Sequence, residues 1–314
     1  MNGIVTLTLN PAIDGAAEAE AIQPIHKIRT WAERYDPGGG GINVARVIKE
    51  LGGSALAVYL SGGATGPILD QLVQAAGIEI RRIPIRGHTR VSHTVHERST
   101  GLEFRFVPEG PTVAADEWQA CLSALEEIEC DYLVASGSLP RGVPPDFYVR
   151  VGQIATEKGA RLVLDTSGEA LREATRQGVY LIKPSLGELE SLIGQKLPEP
   201  SDQEAAAQEL IASGAAEIVA LTLGRDGALF ASRGKSVRMQ GLKVVPKSAV
   251  GAGDSFLAGM TLGLAQGRSP DDAFVLGMAA GTAAVLTAGT ELCRHADVER
   301  IYGDIVRSYD EVPG

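Results

Sequence analysis

Two glycine-rich turns, each running straight into a helix-like segment, hold the residues best suited to chemistry. The first is Val250-Gly251-Ala252-Gly253-Asp254-Ser255-Phe256, continued by Leu257-Ala258-Gly259-Met260. Its glycines permit a tight backbone turn. Free N–H groups at a helix start, aided by the macrodipole, suit a phosphate or a developing oxyanion. Asp254 at the mouth of such a nest can take a proton from an attacking hydroxyl. A plain turn with an N-capping Asp accounts equally well for these residues taken alone. The second turn is Pro37-Gly38-Gly39-Gly40-Gly41-Ile42-Asn43-Val44-Ala45. Its glycines let a ligand approach the backbone, and Asn43 offers both a donor and an acceptor. A flexible loop is the competing reading, but regular apolar spacing over Asn43–Leu51 follows at once.

Two further segments sit at the ends of strand-like runs. Lys183-Pro184-Ser185-Leu186-Gly187-Glu188 follows one, and Asp165-Thr166-Ser167 closes another. Polar residues at the carboxyl ends of parallel strands line the usual α/β ligand crevice. Asp165 and Glu188 suit a hydrated Mg²⁺ that shares phosphate oxygens, although each alone also reads as a surface cap. Thr222-Leu223-Gly224-Arg225-Asp226-Gly227-Ala228 reads as strand–turn–strand and can floor a nucleotide pocket. No P-loop occurs, and no Gly-x-Gly-x-x-Gly follows the first strand. His93 and His96 lie three apart on a strand, hence on opposite faces, and are poor partners for one metal.

The elements that must position these residues alternate. Strand-like runs are Ile4–Asn10, Ala55–Leu60, Tyr132–Ser136, Arg161–Thr166, Tyr180–Lys183 and Ile218–Leu223. Helix-like periods are Ile42–Leu51, Gly66–Ala76, Asp116–Ile128, Pro145–Lys158 and Ser201–Ser213, the last opening on a Ser201/Glu204 capping-box pattern. Near-continuous apolar strands between helices predict a parallel sheet covered on both faces. Residues 15–37 and 86–108 break the alternation and read as a small β-sheet on the α/β body. Val91–Arg98 and Leu102–Val107 form its hairpin-like part.

At 314 residues, 44% hydrophobic and 22% charged, the chain is globular, not disordered or coiled coil. A net charge of −10 disfavours nucleic acid and anionic membrane as partners, so any anionic ligand needs local basic clusters. Cys121, Cys130 and Cys293 are too few and scattered for a disulfide framework, which fits a reducing, cytoplasmic setting. The start of the chain lacks a signal-peptide pattern. Ala273–Gly289, the most apolar stretch, reads as a buried helix and not a membrane span.

Taken in order, the loop ending in Asn43 and the Gly251-Ala252-Gly253-Asp254 turn resemble the two signatures of the ribokinase-like (PfkB-type) sugar kinases. The likeness covers nearly the whole chain. It includes Thr8-Leu9-Asn10-Pro11-Ala12-Ile13-Asp14, Ser136-Gly137-Ser138-Leu139-Pro140, Asp165-Thr166-Ser167-Gly168-Glu169-Ala170 and Leu292-Cys293. Glu33–Gly66 is most similar to the branch acting on fructose 6-phosphate. The resemblance implies one domain over residues 1–314, a three-layer α/β/α fold with a mostly parallel central sheet and a β-sheet lid. It implies ATP-dependent phosphorylation of fructose 6-phosphate to fructose 1,6-bisphosphate, with Mg²⁺ and a monovalent cation such as K⁺. It also implies a homodimer joined through the lid. Alternatives are 1-phosphofructokinase, tagatose-6-phosphate kinase, or a catalytically silent sugar-phosphate sensor.

By matching motif, Asp254 is similar to the family's catalytic base, and Gly251, Ala252 and Gly253 to its anion hole. Asp14, Gly38, Gly39 and Asn43 resemble sugar-hydroxyl contacts, and Lys27, Arg90, Arg105 and Ser138 contacts to the sugar and its phosphate. Lys183, Ser185, Thr222, Gly224 and Gly227 resemble nucleotide contacts, with Glu188 and Asp165 organising Mg²⁺. Ser248, Val250, Ala284, Thr287, Gly289 and Glu291 fall where relatives bind a monovalent cation. Ser185 departs from the family's usual Asn, keeping a hydroxyl but losing an amide donor. The positive helix end is expected to depress the pKa of Asp254.

Overall fold

The apolar runs become strands whose alternation decides what each side of the sheet buries. In chain order the strands are β1 (Ile4–Thr8), β2 (Ala12–Ala19), β3 (Thr30–Gly38), β4 (Leu56–Gly62), β5 (Glu79–Ile85), β6 (Arg90–Glu97), β7 (Glu103–Phe106), β8 (Tyr132–Ser136), β9 (Arg161–Asp165), β10 (Val179–Ile182), β11 (Ala216–Thr222), β12 (Ala228–Ser232) and β13 (Lys235–Met239). The helices are α1 (Gly40–Glu50), α2 (Gly66–Ala75), α3 (Ala115–Glu126), α4 (Phe147–Glu157), α5 (Gly168–Gln177), α6 (Leu186–Ile193), α7 (Pro200–Ala212), α8 (Ala252–Ala265), α9 (Pro270–Ala284) and α10 (His295–Asp310). The computed structural model describes residues 3–310.

The large sheet runs β13-β12-β11-β10-β9-β8-β1-β4-β5. Its ladders are parallel except where β12 meets its two neighbours. Leu133, Ala135, Leu162 and Leu164 point to one side and pack with Trp118, Phe147 and Leu171 of α3, α4 and α5. Tyr132, Val134, Val163 and Leu181 point to the other and meet Val47, Leu257, Phe274 and Ile301 of α1, α8, α9 and α10. Each fully buried side chain of this size contributes about 1.5–3 kcal/mol of transfer free energy, so the two cores lock the sheet between helical layers. The three-layer α/β/α expectation holds.

The lid is a second sheet, ordered β3-β2-β6-β7, with β2 and β6 parallel and the outer pairs antiparallel. It begins at Ala12, three residues earlier than the break in the pattern suggests, because β2 extends directly from the end of β1. Register sets two faces. Asp36, Asp14 and Ser92 share one row, and Arg34, Ala16, Thr94 and Arg105 share the next on the same face. Tyr35, Gly15, His93 and Phe106 form a row on the opposite face.

Three details differ from the sequence reading. Helix α7 starts at Pro200, so the capping pair is Glu199 and Asp202, with the Glu199 N–H donating to Asp202 Oδ2 at 3.3 Å. Pro at the first helical position, with its preset φ, pulls the start ahead of Ser201. Helix α9 ends at Ala284, and residues up to Gly289 turn back as a loop, with Gly289 at φ 60°. Strand β5 carries Arg81, Arg82 and Pro84, a composition tolerated because it is an edge strand. No helix among the described residues is long and apolar enough to cross a membrane.

Candidate active site

A cleft of about 310 Å³ opens at the carboxyl ends of β8 and β9. It is walled by the Asp14–Arg105 face of the lid. Gly39, Gly40 and Asn43 line it from the start of α1, Ser138 and Asp165 from the sheet, Glu188 from α6, and Val250, Gly251 and Asp254 from the start of α8.

Steric crowding explains the run of glycines. A Cβ on Gly38 would stand 1.9 Å from Asp14 Oδ2, one on Gly40 would stand 2.1 Å from Ser136 Oγ, and one on Gly41 would stand 2.5 Å from the Leu7 carbonyl oxygen. Gly39 adds a φ of 109°. The segment is a packed turn, not a flexible loop. Gly251 caps α8 at φ 72°, where a Cβ would lie 2.4 Å from Leu292 Cδ2. The first-turn N–H groups of α8 have no partner within the helix, and Val250, Gly251 and Asp254 at this helix start line the cleft.

Asp254 Oδ2 accepts a hydrogen bond from Asn43 Nδ2 at 2.9 Å. Arg46 Nη1 donates to Asn43 Oδ1 at 3.2 Å, which fixes the amide so that its NH₂ faces the carboxylate. Burial, reinforced by the negative charge of Asp165, pushes the Asp254 pKa up to about 6, against the bond from Asn43 and the charge of Lys183. Desolvation outweighs the helix end, the reverse of the depression expected from sequence. Asp14 is likewise raised by burial, opposed by the charges of Arg90, Arg46 and Arg105.

Arg90 holds the lid's cleft side together, donating to the Pro108 carbonyl at 2.9 Å and the Asn10 carbonyl at 2.8 Å. Its Nε is buried without a partner. Arg105 is exposed on β7 and lines the same cleft. Ser138 Oγ accepts from Asn10 Nδ2 at 3.4 Å. Lys27, exposed on the β2–β3 connector, does not line the cleft of its own chain.

On the far side, buried Lys183 puts Nζ 3.1 Å from Asp165 Oδ1. Burial acts to lower the Lys183 pKa, but Asp165, Asp254 and Glu188 overcome it and the net direction is up. A Cβ on Gly253 would lie 3.3 Å from this ammonium, so the bare backbone there lets the cation sit against the start of α8. Ser185 caps α6, and its N–H and Oγ both donate to Glu188 Oε2, at 2.7 and 2.9 Å. The residue that departs from the family pattern therefore aims Glu188. Ser185 also bridges to Thr222, whose loop continues through the turn at Gly224 to Gly227. A Cβ on Gly227 would stand 2.0 Å from the Met239 carbonyl oxygen.

Among the described residues no group of three or more His, Cys, Asp or Glu is arranged to hold a metal. Asp165 and Glu188 do fit a Mg²⁺ that keeps its waters and borrows phosphate oxygens. Asp165 is pushed up mainly by burial and further by the charge of Glu188, against the neighbouring Lys183 ammonium. The monovalent-cation candidates occupy two adjoining loops, joined by Lys247 N–H to the Val285 carbonyl at 2.8 Å. Ser248 Oγ accepts from Val250 N–H at 3.2 Å, and Thr287 Oγ1 donates toward the Ala284 and Glu291 carbonyls at 2.7 and 3.0 Å. The Glu291 carboxylate pairs with Arg34 and Arg294, while its carbonyl accepts from Thr287.

Sequence reading missed Ser92, Thr94 and Thr290, which line the cleft together with Thr166 and Ser167 of the strand-end segment and Ser136 of the family motif, named there without a role. The period of two on β6 was a usable signal for Ser92 and Thr94 once Arg90 was chosen. Helical spacing from Asn43 pointed equally to Arg46. Thr290 carried no such mark.

Comparison with known proteins bears on this arrangement. Residues 8–297 match the pfkB family carbohydrate kinase profile. The chain is 44% identical over 301 residues to ATP-dependent 6-phosphofructokinase isozyme 2 of Mycobacterium tuberculosis, covering 95% of this chain and 88% of that one. The crystal structure of phosphofructokinase-2 from Escherichia coli in complex with fructose-6-phosphate superposes with a TM-score of 0.93 at 39% identity, covering 98% of this chain and 100% of that one. The same Escherichia coli protein in complex with potassium gives 0.94 at 40% identity, with coverage of 98% and 100%. With a match spanning most of its length and its glycine turns built around one cleft, the chain belongs to the pfkB family of carbohydrate kinases.

Proposed function

We propose that this protein is an ATP-dependent 6-phosphofructokinase, converting fructose 6-phosphate to fructose 1,6-bisphosphate. The observation that carries the reading is the meeting, in one cleft, of Asp254 at the start of α8 with Arg90 and Arg105 on the lid. The first arrangement suits a reacting hydroxyl and the second a phosphate already on the sugar. The similarity to 6-phosphofructokinases over nearly the full chain supports the substrate.

Phosphoryl transfer is mostly positioning and electrostatics. Asp14, Asn43 and the backbone at Gly38 and Gly39 hold the sugar hydroxyls, while Arg90, Arg105 and Ser138 take its phosphate. The free hydroxyl attacks the γ-phosphorus of ATP, its proton passes to Asp254, and ADP leaves. The N–H groups at Gly251, Ala252 and Gly253 receive the charge that builds on the transferred group. Lys183, Ser185, Thr222, Gly224 and Gly227 hold the nucleotide. Asp165 and Glu188 would hold a divalent ion, which would supply charge neutralisation to the phosphates, and the Ser248–Val250 and Ala284–Glu291 loops would hold a monovalent cation. The potassium complex of the Escherichia coli protein supports the use of a monovalent cation.

An assay of ADP release over fructose 6-phosphate, fructose 1-phosphate and tagatose 6-phosphate tests the reading. Fructose 6-phosphate should give the highest kcat/KM. Preference for another sugar would reassign the substrate, and no turnover on any would favour a silent sensor.

Glu188→Gln should raise the Mg²⁺ concentration needed for half-maximal rate, by about tenfold for the loss of one charged ligand. Ser185 can still bond the amide oxygen, so α6 should stay capped. Superimposable Mg²⁺ titrations would remove Glu188 from the metal role.

The lid also supports a homodimer. Its face opposite the cleft exposes Tyr35 and Phe106 at 48% and 56%, in one row across the four strands. A small sheet with one open apolar face is marginal until that face is covered. Sedimentation at micromolar concentration should give a dimer, and Tyr35→Asp with Phe106→Asp should give a monomer. A wild-type monomer, or a double variant that stays dimeric, rules out this interface.

A further inference from the structure

Arg34 stands on the edge strand β3, in the cleft-side row that ends at Arg105 on the opposite edge. Its guanidinium crosses to the loop after α9. Nη1 donates to Glu291 Oε1 at 3.3 Å, and Nη2 donates to the Ala288 carbonyl and to Thr290 Oγ1, both at 3.2 Å. Nε donates to Asp36 Oδ2 at 2.9 Å, and the Thr290 hydroxyl donates to that same oxygen. Arg46 pairs with the other Asp36 oxygen at 3.5 Å. Gly289 gives the loop its turn at φ 60°, next to Arg34 Nη2 and Ala16.

A single surface ion pair contributes little. Here one planar fork instead ties a strand to three of four neighbouring residues in one loop, Ala288, Thr290 and Glu291, and Thr290 lines the cleft. One row of paired residues, Arg34, Ala16, Thr94 and Arg105, crosses the four strands on the near side of the bulge between Ala16 and Glu18, so a tie at the β3 edge bears on the height of the β7 edge over the cleft. We propose that Arg34 is a positioning residue: it latches the lid to residues 288–291 and thereby sets where Arg105 stands to receive the phosphosugar. Its kinetic consequence rests on the proposed phosphosugar reading, but the latch itself does not.

The test uses the full-length protein and two independent readouts. In hydrogen exchange without ligands, Arg34→Ala should speed exchange in residues 30–38 and 285–291 together, with 216–222 unchanged. In kinetics, its KM for fructose 6-phosphate should rise about tenfold, as for loss of a charged hydrogen-bond partner, with kcat and the KM for ATP within about twofold. Arg34→Lys, which keeps the charge but not the fork, should recover only part of the loss. Glu291→Gln combined with Arg34→Ala should be no worse than Arg34→Ala alone, because coupled partners are not additive. Unchanged exchange in both segments overturns the latch, whichever sugar is the substrate. A fall in kcat at unchanged sugar KM, or independent effects of the two substitutions, overturns the positioning role. A wrong substrate would show instead as absent wild-type turnover, and exchange alone then decides the latch.

Discussion

Asp254→Ala should lower kcat by about 10²–10⁴-fold, the usual contribution of a positioned general base, while the sugar KM changes little. The hydroxyl would then have to lose its proton to water in a site shaped to exclude it. With the wild-type pKa near 6, kcat/KM should fall as pH drops through about 6, because protonated Asp254 cannot accept. The same shift carries a stability cost of opposite sense. The folded pKa lies above the ordinary 3.8, so the folded state binds more protons between those values. Its contribution is intact below about 3.8 and is lost as pH rises through about 6. Asp254→Asn removes that buried charge and keeps the shape facing Asn43. At pH 7.5 it should therefore be inactive yet more stable to denaturant, by on the order of 1–3 kcal/mol. Activity within tenfold of wild type, or a limb in the pH profile that survives the substitution, would assign the base elsewhere.

Arg90→Ala and Arg105→Ala should each raise the KM for fructose 6-phosphate roughly ten- to a hundredfold, the equivalent of ~1.5–3 kcal/mol for a charged hydrogen bond. The KM for ATP should move far less, because the nucleotide groups lie beyond Asp165 and Glu188. The two arginines differ in what else they hold. Arg90 ties the Pro108 and Asn10 carbonyls, so its loss should also lower the melting temperature. Arg105 is exposed and should leave stability near wild type. A matching change in sugar KM with unmatched changes in stability would separate phosphate reading from lid integrity. Sugar KM values within twofold of wild type for both variants would falsify the lid's role as phosphate reader.

The layered fold was legible because buried parallel strands cannot hide. Tyr132–Ser136 is apolar at nearly every position, since both faces are covered. Edge strand β5, with its two arginines, has no such constraint and left no trace. The reacting groups were legible because glycine turns and a lone acidic residue at a helix start are chemically unusual. The supporting polar residues were legible only in part: the period of two links Ser92 and Thr94 to Arg90, but pairing of β6 beside β2 is what puts that face over the cleft. The pKa of Asp254 went the other way from the sequence argument. A helix end is visible in the sequence, but Asp165, more than eighty positions away, is brought near only by the sheet.

The crowding around the first glycine turn bears on how the protein reaches its working form. Gly38 is pressed by β2, Gly41 by β1 and Gly40 by β8, whose residues lie almost a hundred positions further along. Gly253 shares its space with Lys183, some seventy positions earlier. Contacts of such long separation form late, after local helices and neighbouring strand pairs, because each closes a long loop. The cleft has no partial version: its walls are contributed by segments that meet only when the central strand order is complete. Helix content can thus recover on the folding pathway well ahead of any capacity for phosphoryl transfer.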